Sequence, residues 1–321
     1  MSDKPVVLVT RKLPAAVEAR LQRDYAARLN ASDQIYSSDQ LLELAEGAAA
    51  IVPCHTEKLN ADVIARLPQS IRALCSFSVG FDHIDLAAAK ARGIVVTNTP
   101  EVLSDATAEI AMLLLLGAAR RAYEGELQIR TESWADWSAT YQLGVQVSGK
   151  RLGIIGMGRV GQIMARRARG FDMQIHYYNR SRLSADLELG AVYHDSVEAL
   201  LPHCDFLSIH CPATPETRHL LNAERIAMLP DGAVVVNTAR GAVVDDDALI
   251  AALRSGKLFA AGLDVFNDEP NIHPAYRGLQ NTFLLPHIGS ATVETRDAMG
   301  FRALDNLDAI MAGKEPRDRL V

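Results

Sequence analysis

The stretch RLGIIGMGRVGQ, residues 151–162, decides the fold class. The apolar run before the first glycine predicts a β-strand, and the residues after the last glycine predict a helix. Between them Gly156, Gly158 and Gly161 form the pattern GxGxxG. In such a unit the first glycine permits a tight turn, the second admits a pyrophosphate, and the third lets helix pack on strand. The stretch therefore predicts a dinucleotide-binding α/β unit.

Short apolar runs alternate with helical patterns on both sides of this unit, which predicts open parallel sheets covered by helices. The turn after the first apolar run, residues 11–14, lacks glycine, so the first series is not expected to bind a dinucleotide itself. Residues 122–148, which contain both tryptophans, are predicted to be irregular. Further strands are predicted at 6–10, 48–53, 71–78, 93–99, 174–179, 205–210, 233–238, 260–266 and 281–288, and helices at 14–29, 39–46, 60–67, 85–92, 104–121 and from 291 onward.

The composition excludes several classes of partner. The chain has 321 residues, a net charge of −6 and a pI near 5.9, which disfavours nucleic acid and anionic membranes as general partners. The longest apolar run, 110–119, is shorter than the roughly 20 residues that a transmembrane helix needs. Four cysteines without a CxxC pair predict reduced thiols and no metal site. We expect a cytoplasmic protein.

The stretch HYYNRSR, residues 176–182, bears on the choice of dinucleotide. An acidic residue at this point in such folds accepts the ribose hydroxyls of NAD, and it would repel the 2′-phosphate of NADP. Here Asn179 removes that repulsion, and Arg180, Ser181 and Arg182 offer donors to a phosphate. The stretch favours NADP(H), with NAD(H) possible if the two arginines are only a solvated loop.

Four residues near the ends of later strands suggest the chemistry. Arg240 follows one apolar run, Asp264 lies in another with Glu269 beyond it, and His287 follows a third. The arginine can clamp the carboxylate of a small 2-oxo acid, and the histidine can protonate its carbonyl oxygen as hydride reaches carbon. The glutamate can orient the imidazole. Each residue alone also fits a surface or turn role, but the combination after a GxGxxG turn favours a reductase.

These motifs together resemble the D-isomer-specific 2-hydroxyacid dehydrogenases, and within that family the NADPH-dependent glyoxylate/hydroxypyruvate reductase group. The resemblance covers essentially the whole chain and implies a flavodoxin-like substrate domain at 1–99 and 289–321, a Rossmann dinucleotide-binding domain at 100–288, and a homodimer. It rests on SVGFDHID (78–85), GIIGMGRVGQ (153–162), HCPATPETRHLL (210–221), NTARG (237–241), GLDVFNDEP (262–270) and PHIGSAT (286–292).

The resemblance also implies roles for individual residues. The catalytic set would be Arg240, Glu269 and His287, and the backbone at Val79 and Gly80 would help Arg240 to bind the substrate carboxylate. The cofactor would be held by Thr107, Gly156, Met157, Gly158, Arg159, Val160, Gly161, Asn179, Arg180, Ser181, Arg182, His210, Cys211, Pro212, Thr217, Thr238, Ala239, Asp264, His287 and Gly289. No metal is implied.

Three questions stay open at this point. The substrate could be another 2-oxo acid, for example 2-ketogluconate. A phosphorylated acid would require additional basic residues near the pocket, and none is present near 53–56 or 77–82. The chain could instead be a dinucleotide-sensing regulator without turnover, since relatives of the family include transcriptional corepressors. His55 has two readings, a substrate contact or an isolated loop histidine, and Trp134 and Trp137 belong either to a core or to a subunit interface.

Overall fold

The computed structural model describes residues 4–321, whose contacts divide the chain into two units. One unit spans Met1–Leu103 and Ala291–Val321, and the other spans Ser104–Ser290. The predicted domain boundaries, at 99/100 and 288/289, stay predictions. Each unit has its own parallel sheet, of five and of seven strands, so the predicted α/β class with two parallel-sheet domains is confirmed. None of the described helices is long and apolar enough to cross a membrane.

The first unit has the strand order β2-β1-β3-β4-β5, which is that of flavodoxin-like sheets. Successive residues of its strands enter two different cores: Leu8 and Ile51 pack on one face, and Val7 and Val52 on the other. Burial on both faces explains why these strands read as continuous apolar runs. The elements are β1 (Val6–Val9), α1 (Ala15–Asp24), β2 (Ala26–Arg28), α2 (Ser38–Leu44), β3 (Ala50–Val52), α3 (Ala61–Arg66), β4 (Ala73–Cys75), α4 (Leu86–Ala91) and β5 (Val95–Thr97).

The second unit has the strand order β12-β11-β10-β9-β6-β7-β8. Val234 and Val236 enter one core and Val235 the other, so this sheet is also covered on both faces. The elements are α5 (Ser104–Ala119), α6 (Ala122–Arg130), β6 (Arg151–Ile155), α7 (Arg159–Ala168), β7 (Gln174–Tyr178), α8 (Ala185–Glu188), β8 (Val192–His194), α9 (Val197–Leu200), β9 (Phe206–Ile209), α10 (Ala223–Met228), β10 (Ala233–Asn237), α11 (Asp246–Ser255), β11 (Leu258–Leu263) and β12 (Thr282–Leu284).

The last helix, α12 (Val293–Met311), belongs to the first unit and contacts α1 and β4 there. It begins after Thr292, whose side chain accepts the N–H of Thr295 and so caps the helix. A Cβ built on Gly300 would lie 2.4 Å from Val17, because the two helices approach closely at that point. The predicted return of the chain end to the first series is therefore present in the structure.

Three local predictions were wrong. The helix predicted at 14–29 ends at Asp24, and Ala26–Arg28 pairs with β1 as an exposed edge strand, where no apolar pattern marks it. The segment 122–148, predicted as irregular, begins with helix α6. Asp264, placed within a strand, lies one residue beyond β11, and its N–H continues the pairing by donating to the Asn237 carbonyl.

Candidate active site

The glycine-rich turn lies where the strand order reverses. Strand β6 stands between β9 and β7, and ligands of open α/β sheets bind beyond the carboxyl ends of strands at such a point. Gly156 has φ of +95°, and a Cβ on it would lie 2.5 Å from the backbone nitrogen of Cys211. A Cβ on Gly161 would lie 2.3 Å from the Gly156 carbonyl oxygen. Both positions therefore require glycine, one for the turn and one for helix packing.

The start of α7 fits the pyrophosphate of a dinucleotide. Gly158 immediately precedes the helix, no side chain caps it, and a Cβ built there would have no atom within 4 Å. Uncapped N–H groups at a helix N-terminus bind anions, and the open side of Gly158 lets an anion reach them. Met157 is fully buried, whereas Arg159 is exposed and Val160 is half-buried.

The loop after β7 carries the residues that are predicted to bind the 2′-phosphate of NADP. Asn179 is half-buried and donates to the Ser181 carbonyl at 3.1 Å, while Arg180 and Ser181 are exposed. Arg182 differs from Arg180, because its guanidinium forms an ion pair with Glu188 at 2.8 Å. The sequence did not reveal this pairing.

The loop after β9 is held by its own polar side chains. Thr217 donates to the Pro212 carbonyl at 2.7 Å and closes the turn in which it lies. The ring of His210 contacts Ser208 through Nε2 at 2.9 Å and Thr238 through Nδ1 at 3.2 Å. Burial lowers the pKa of His210 to about 4, so its ring is neutral at physiological pH and joins the ends of β9 and β10. Cys211 is half-buried beside Gly156.

The turn after β10 presents Arg240. Buried Asn237 accepts the N–H of Ala239 at 2.9 Å and donates to the carbonyl of Arg240 at 2.9 Å. The next residue, Gly241, packs so tightly that a Cβ would lie 1.9 Å from the Phe266 backbone. The turn that carries Arg240 is thereby fixed against the loop that follows β11. Thr238 is buried and Ala239 half-buried in the same turn.

Asp264 fixes the loop that carries the candidate histidine. Its two carboxylate oxygens accept the N–H groups of Ile288 and Gly289, each at 2.7 Å, and its carbonyl accepts the N–H of His287 at 2.8 Å. Burial raises the pKa of Asp264, although these two N–H groups and His287 oppose the rise. A Cβ on Gly289 would lie 3.1 Å from Asp264 and 3.5 Å from Thr107, so all three are close neighbours.

Glu269 and His287 form a hydrogen-bonded pair. Nδ1 of His287 lies 2.6 Å from Oε2 of Glu269, and Oε1 of Glu269 accepts the N–H of Phe266 at 2.7 Å. His287 has φ of +54°, a conformation that few residues other than glycine adopt. The structure thus joins two members of the predicted catalytic set, and Gly241 links the turn of the third, Arg240, to the loop containing Phe266.

Val79 and Gly80 lie in the first unit, in the loop after β4. Ser78 donates to the Gly80 carbonyl at 2.6 Å, and Asn98 donates to the Val79 carbonyl at 2.8 Å. The carbonyl groups are thus held by side chains, while the hydrogen bonds of the described residues include no protein acceptor for the Val79 and Gly80 N–H groups. A loop with two such N–H groups is suited to an anion.

His55 lies in the neighbouring loop after β3 and is exposed. Glu57, which is buried, accepts the N–H of Cys54 at 2.7 Å and the hydroxyl of Thr56 at 2.8 Å, so it fixes the loop around His55.

Sequence reasoning missed several residues that hold the site together. They share one feature, a polar side chain that binds the backbone or another side chain of a strand-end loop. Asn237 carried a usable signal, since it is a polar residue closing an apolar run. The set comprises Ser78, Asn98, Glu188, Ser208 and Asn237.

Comparison with known proteins defines the class of this site. A family model described as "D-isomer specific 2-hydroxyacid dehydrogenase, NAD binding domain" matches residues 112–289, which contain the glycine turn and all three candidate catalytic residues. The second unit is accordingly a nicotinamide-dinucleotide-binding domain, and the protein is an oxidoreductase.

Two relatives and a solved structure extend the match to the whole chain. Glycerate dehydrogenase of Hyphomicrobium methylovorum is 46% identical, covering 98% of each chain, and glyoxylate reductase of Thermococcus litoralis is 41% identical, covering 98% of this chain and 96% of that one. The NADPH-dependent glyoxylate/hydroxypyruvate reductase of Sinorhizobium meliloti, in complex with NADP and malonate, has a TM-score of 0.87 and 32% identity, covering 99% of this chain and 97% of that one. This chain belongs to the D-isomer-specific 2-hydroxyacid dehydrogenase family.

Proposed function

We propose that the protein reduces a small 2-oxo acid, glyoxylate or hydroxypyruvate, to the D-2-hydroxy acid with NADPH as the preferred reductant. The observation that carries the proposal is the Glu269–His287 pair beyond the carboxyl ends of the strands, next to the turn that presents Arg240. When bound, the reduced nicotinamide supplies the hydride. The protein then has to bind the acid, orient its carbonyl group and deliver one proton.

His287 is the proposed proton donor. Glu269 is hydrogen-bonded to Nδ1, so we assign proton transfer to Nε2 on the opposite side of the ring. The proton goes to the carbonyl oxygen while hydride goes to the carbonyl carbon, so that the C=O group becomes CH–OH. The backbone of His287 is in the left-handed conformation, and its N–H is held by the Asp264 carbonyl. Strained residues of this kind cluster at active sites, which supports a role for His287 in the reaction.

Arg240 is proposed to bind the substrate. A guanidinium can hold a carboxylate through two parallel hydrogen bonds and fix its orientation. One Nη1 donor of Arg240 is used within its own turn, to the Ala239 carbonyl at 2.8 Å, which orients the group. We also assign the Val79 and Gly80 N–H groups to substrate binding, in line with their lack of a protein acceptor among the described residues. Asp264 and Thr107 are assigned to the nicotinamide end of the cofactor.

The cofactor preference rests on the loop after β7. No acidic residue occupies 179–182, and Arg180 and Ser181 are exposed donors for a 2′-phosphate. The Sinorhizobium meliloti reductase, whose structure contains NADP, supports the same choice. We propose NADPH as preferred, with NADH accepted.

The substrate class follows from the chemistry of the relatives. Glyoxylate is the substrate that names one relative, and the glycerate that names the other is the 2-hydroxy acid formed when hydroxypyruvate is reduced. The reverse reaction tests both substrate class and stereochemistry. D-glycerate should reduce NADP⁺ in the presence of the protein, and L-glycerate should not. Equal rates with both enantiomers, or a rate with L-glycerate alone, would contradict the proposal.

We further propose that the protein is a homodimer. Helix α6 buries none of its residues, and it exposes Leu127 and Ile129. Trp134 and Trp137, in the segment that follows, are 54% and 73% exposed, so core packing does not account for them. Large apolar side chains grouped in this way are typical of an interface. A second copy of the chain is the proposed occupant.

A further inference from the structure

The two arginines of the loop after β7 stand in different electrostatic surroundings. Nε and Nη2 of Arg182 lie 2.8 and 3.1 Å from the two carboxylate oxygens of Glu188, and its guanidinium lies 5.6 Å from the ring centre of Tyr193. Such a two-point pairing leaves Arg182 with little uncompensated charge. Arg180, two residues earlier, is exposed.

Glu188 is built into the fold. Its side chain is only 9% exposed, and besides Arg182 it accepts the hydroxyl of buried Tyr177 at 2.7 Å. The same hydroxyl accepts the N–H of Leu183, so strand β7, helix α8 and the loop meet at this carboxylate. Arg182, and then Tyr177, hold the pKa of Glu188 below its usual value, so it is ionised.

We propose that Glu188 limits the selectivity of the protein for NADPH over NADH. Its carboxylate occupies the guanidinium fork that would otherwise bind a 2′-phosphate, and its negative charge disfavours a phosphate dianion nearby. Selectivity for NADPH is then carried by Arg180 and Ser181 alone. The inference rests on the proposed function only in placing the adenosine ribose beside residues 179–182.

A second acid, Glu216, interacts with the other arginine, Arg180, but more weakly than Glu188 interacts with Arg182. Glu216 lies in the loop after β9, on the other side of the switch point between strands. The hydrogen bond from Thr214 is the main reason that the pKa of Glu216 is lowered, and the charge of Arg180 contributes. Each arginine therefore has an acid within electrostatic reach, although only Arg182 and Glu188 form an ion pair at hydrogen-bond distance.

The test compares two single substitutions whose predicted effects have opposite signs. The measured quantity is the ratio of the Kd for NADH to the Kd for NADPH, from the fluorescence of each bound reduced nucleotide. E188Q keeps an acceptor for Tyr177 but removes the charge, so the ratio should rise about three- to tenfold as Arg182 becomes available to the 2′-phosphate. R182Q leaves the Glu188 charge uncompensated, so the ratio should fall below the wild-type ratio.

D186N is the matched control, because it removes one negative charge from an exposed position on the same helix. It should leave the ratio unchanged. A purely structural role for the ion pair would weaken both nucleotides equally, and an unchanged ratio in E188Q or R182Q would overturn the inference. If E188Q does not fold, R182Q decides alone. Failure of the proposed NADPH preference shows separately, as a wild-type ratio below one, since the inference concerns only the change in that ratio.

Discussion

Nδ1 of His287 lies 2.6 Å from Oε2 of Glu269, and this contact links the loops that follow β11 and β12. Glu269 is itself held by the N–H of Phe266, so the carboxylate is fixed before it meets the imidazole. Because the ring is oriented through Nδ1, the remaining nitrogen, Nε2, which is the proposed proton donor, points in a defined direction. Orientation of this kind is what general acid catalysis requires of a histidine.

His287→Asn removes the proposed proton donor. Since general acid catalysis contributes about 10²- to 10⁴-fold, turnover should fall by that factor, while the Kd for NADPH should change little. Steady-state kinetics with glyoxylate and a fluorescence titration with NADPH measure the two effects. Glu269→Gln, which keeps an acceptor for Phe266 but loses the charge, should lower turnover less severely. Normal turnover in His287→Asn would end the assignment.

Asp264→Asn tests the support of the histidine loop. The substitution puts an NH₂ group against one of two backbone N–H donors, and it should lower the free energy of unfolding by about 1–3 kcal/mol and turnover as well. Urea denaturation and initial rates provide the measurements. Asp268→Asn, the same change at an exposed position, is the control and should alter neither quantity. Equal effects of the two substitutions would show that Asp264 has no special role.

Arg180→Ala tests the phosphate assignment. A charge-assisted bond to the 2′-phosphate would be lost, so the Kd for NADPH should rise about tenfold or more while the Kd for NADH changes little. Titrations of both nucleotides, at one fixed salt concentration, measure the difference. If the affinities for NADPH and NADH fall by the same factor, Arg180 does not bind the 2′-phosphate.

The sequence predicts the strand, glycine turn and helix start at residues 151–162, and it places Arg240 and His287 just after strands, because each depends on a local pattern at the end of an apolar run. The catalytic roles of Arg240 and His287 stay predictions. The sequence predicts long-range pairing poorly. The edge strand Ala26–Arg28 has no apolar pattern and is formed only by pairing with β1. The five residues between Arg182 and Glu188 give no sign that the two side chains meet. Tyr177, in strand β7, donates to Glu188 and accepts the N–H of Leu183, so it ties helix α8 to the loop that carries Arg182. No local sequence pattern indicates these contacts.

A cluster of three histidines predicts how stability depends on pH. His176, His194 and His203 have ring centres 5.0–5.3 Å apart, and Nδ1 of His176 lies 3.0 Å from Nε2 of His194. Burial, followed by the charges of the two other rings and of Arg151, lowers the pKa of His176 to about 4. As pH falls, the unfolded chain therefore takes up this proton before the folded chain does.

The contribution of His176 to the free energy of unfolding is therefore at its maximum above the ordinary histidine pKa of 6.5. It is lost as pH falls from 6.5 towards about 4. The Tm of the wild type should fall across that window, and His176→Gln should show a shallower fall when each is referred to its own Tm at pH 8. Scanning calorimetry between pH 4 and pH 8 gives both curves. Parallel curves for the two proteins would exclude His176 as a source of the pH dependence.

Trp137→Ser tests the proposed dimer interface. Removing a side chain that is 73% exposed should leave the fold intact and raise the dissociation constant of the dimer, with a larger effect when Trp134→Ser is added. Sedimentation equilibrium at several protein concentrations measures this. Ile35→Ser, at another exposed apolar position, is the control. A wild-type protein that is monomeric at every concentration would contradict the proposal directly.

The most direct test of the central claim is the oxidation of NADPH and NADH by the wild-type protein, side by side, with glyoxylate and with hydroxypyruvate. The absorbance of the reduced nicotinamide reports each rate. We expect rapid oxidation of NADPH with at least one of the two acids and slower oxidation of NADH. Absence of oxidation with either nucleotide and either acid would contradict the proposed reduction, and faster oxidation of NADH would contradict the NADPH preference while leaving the reduction in place.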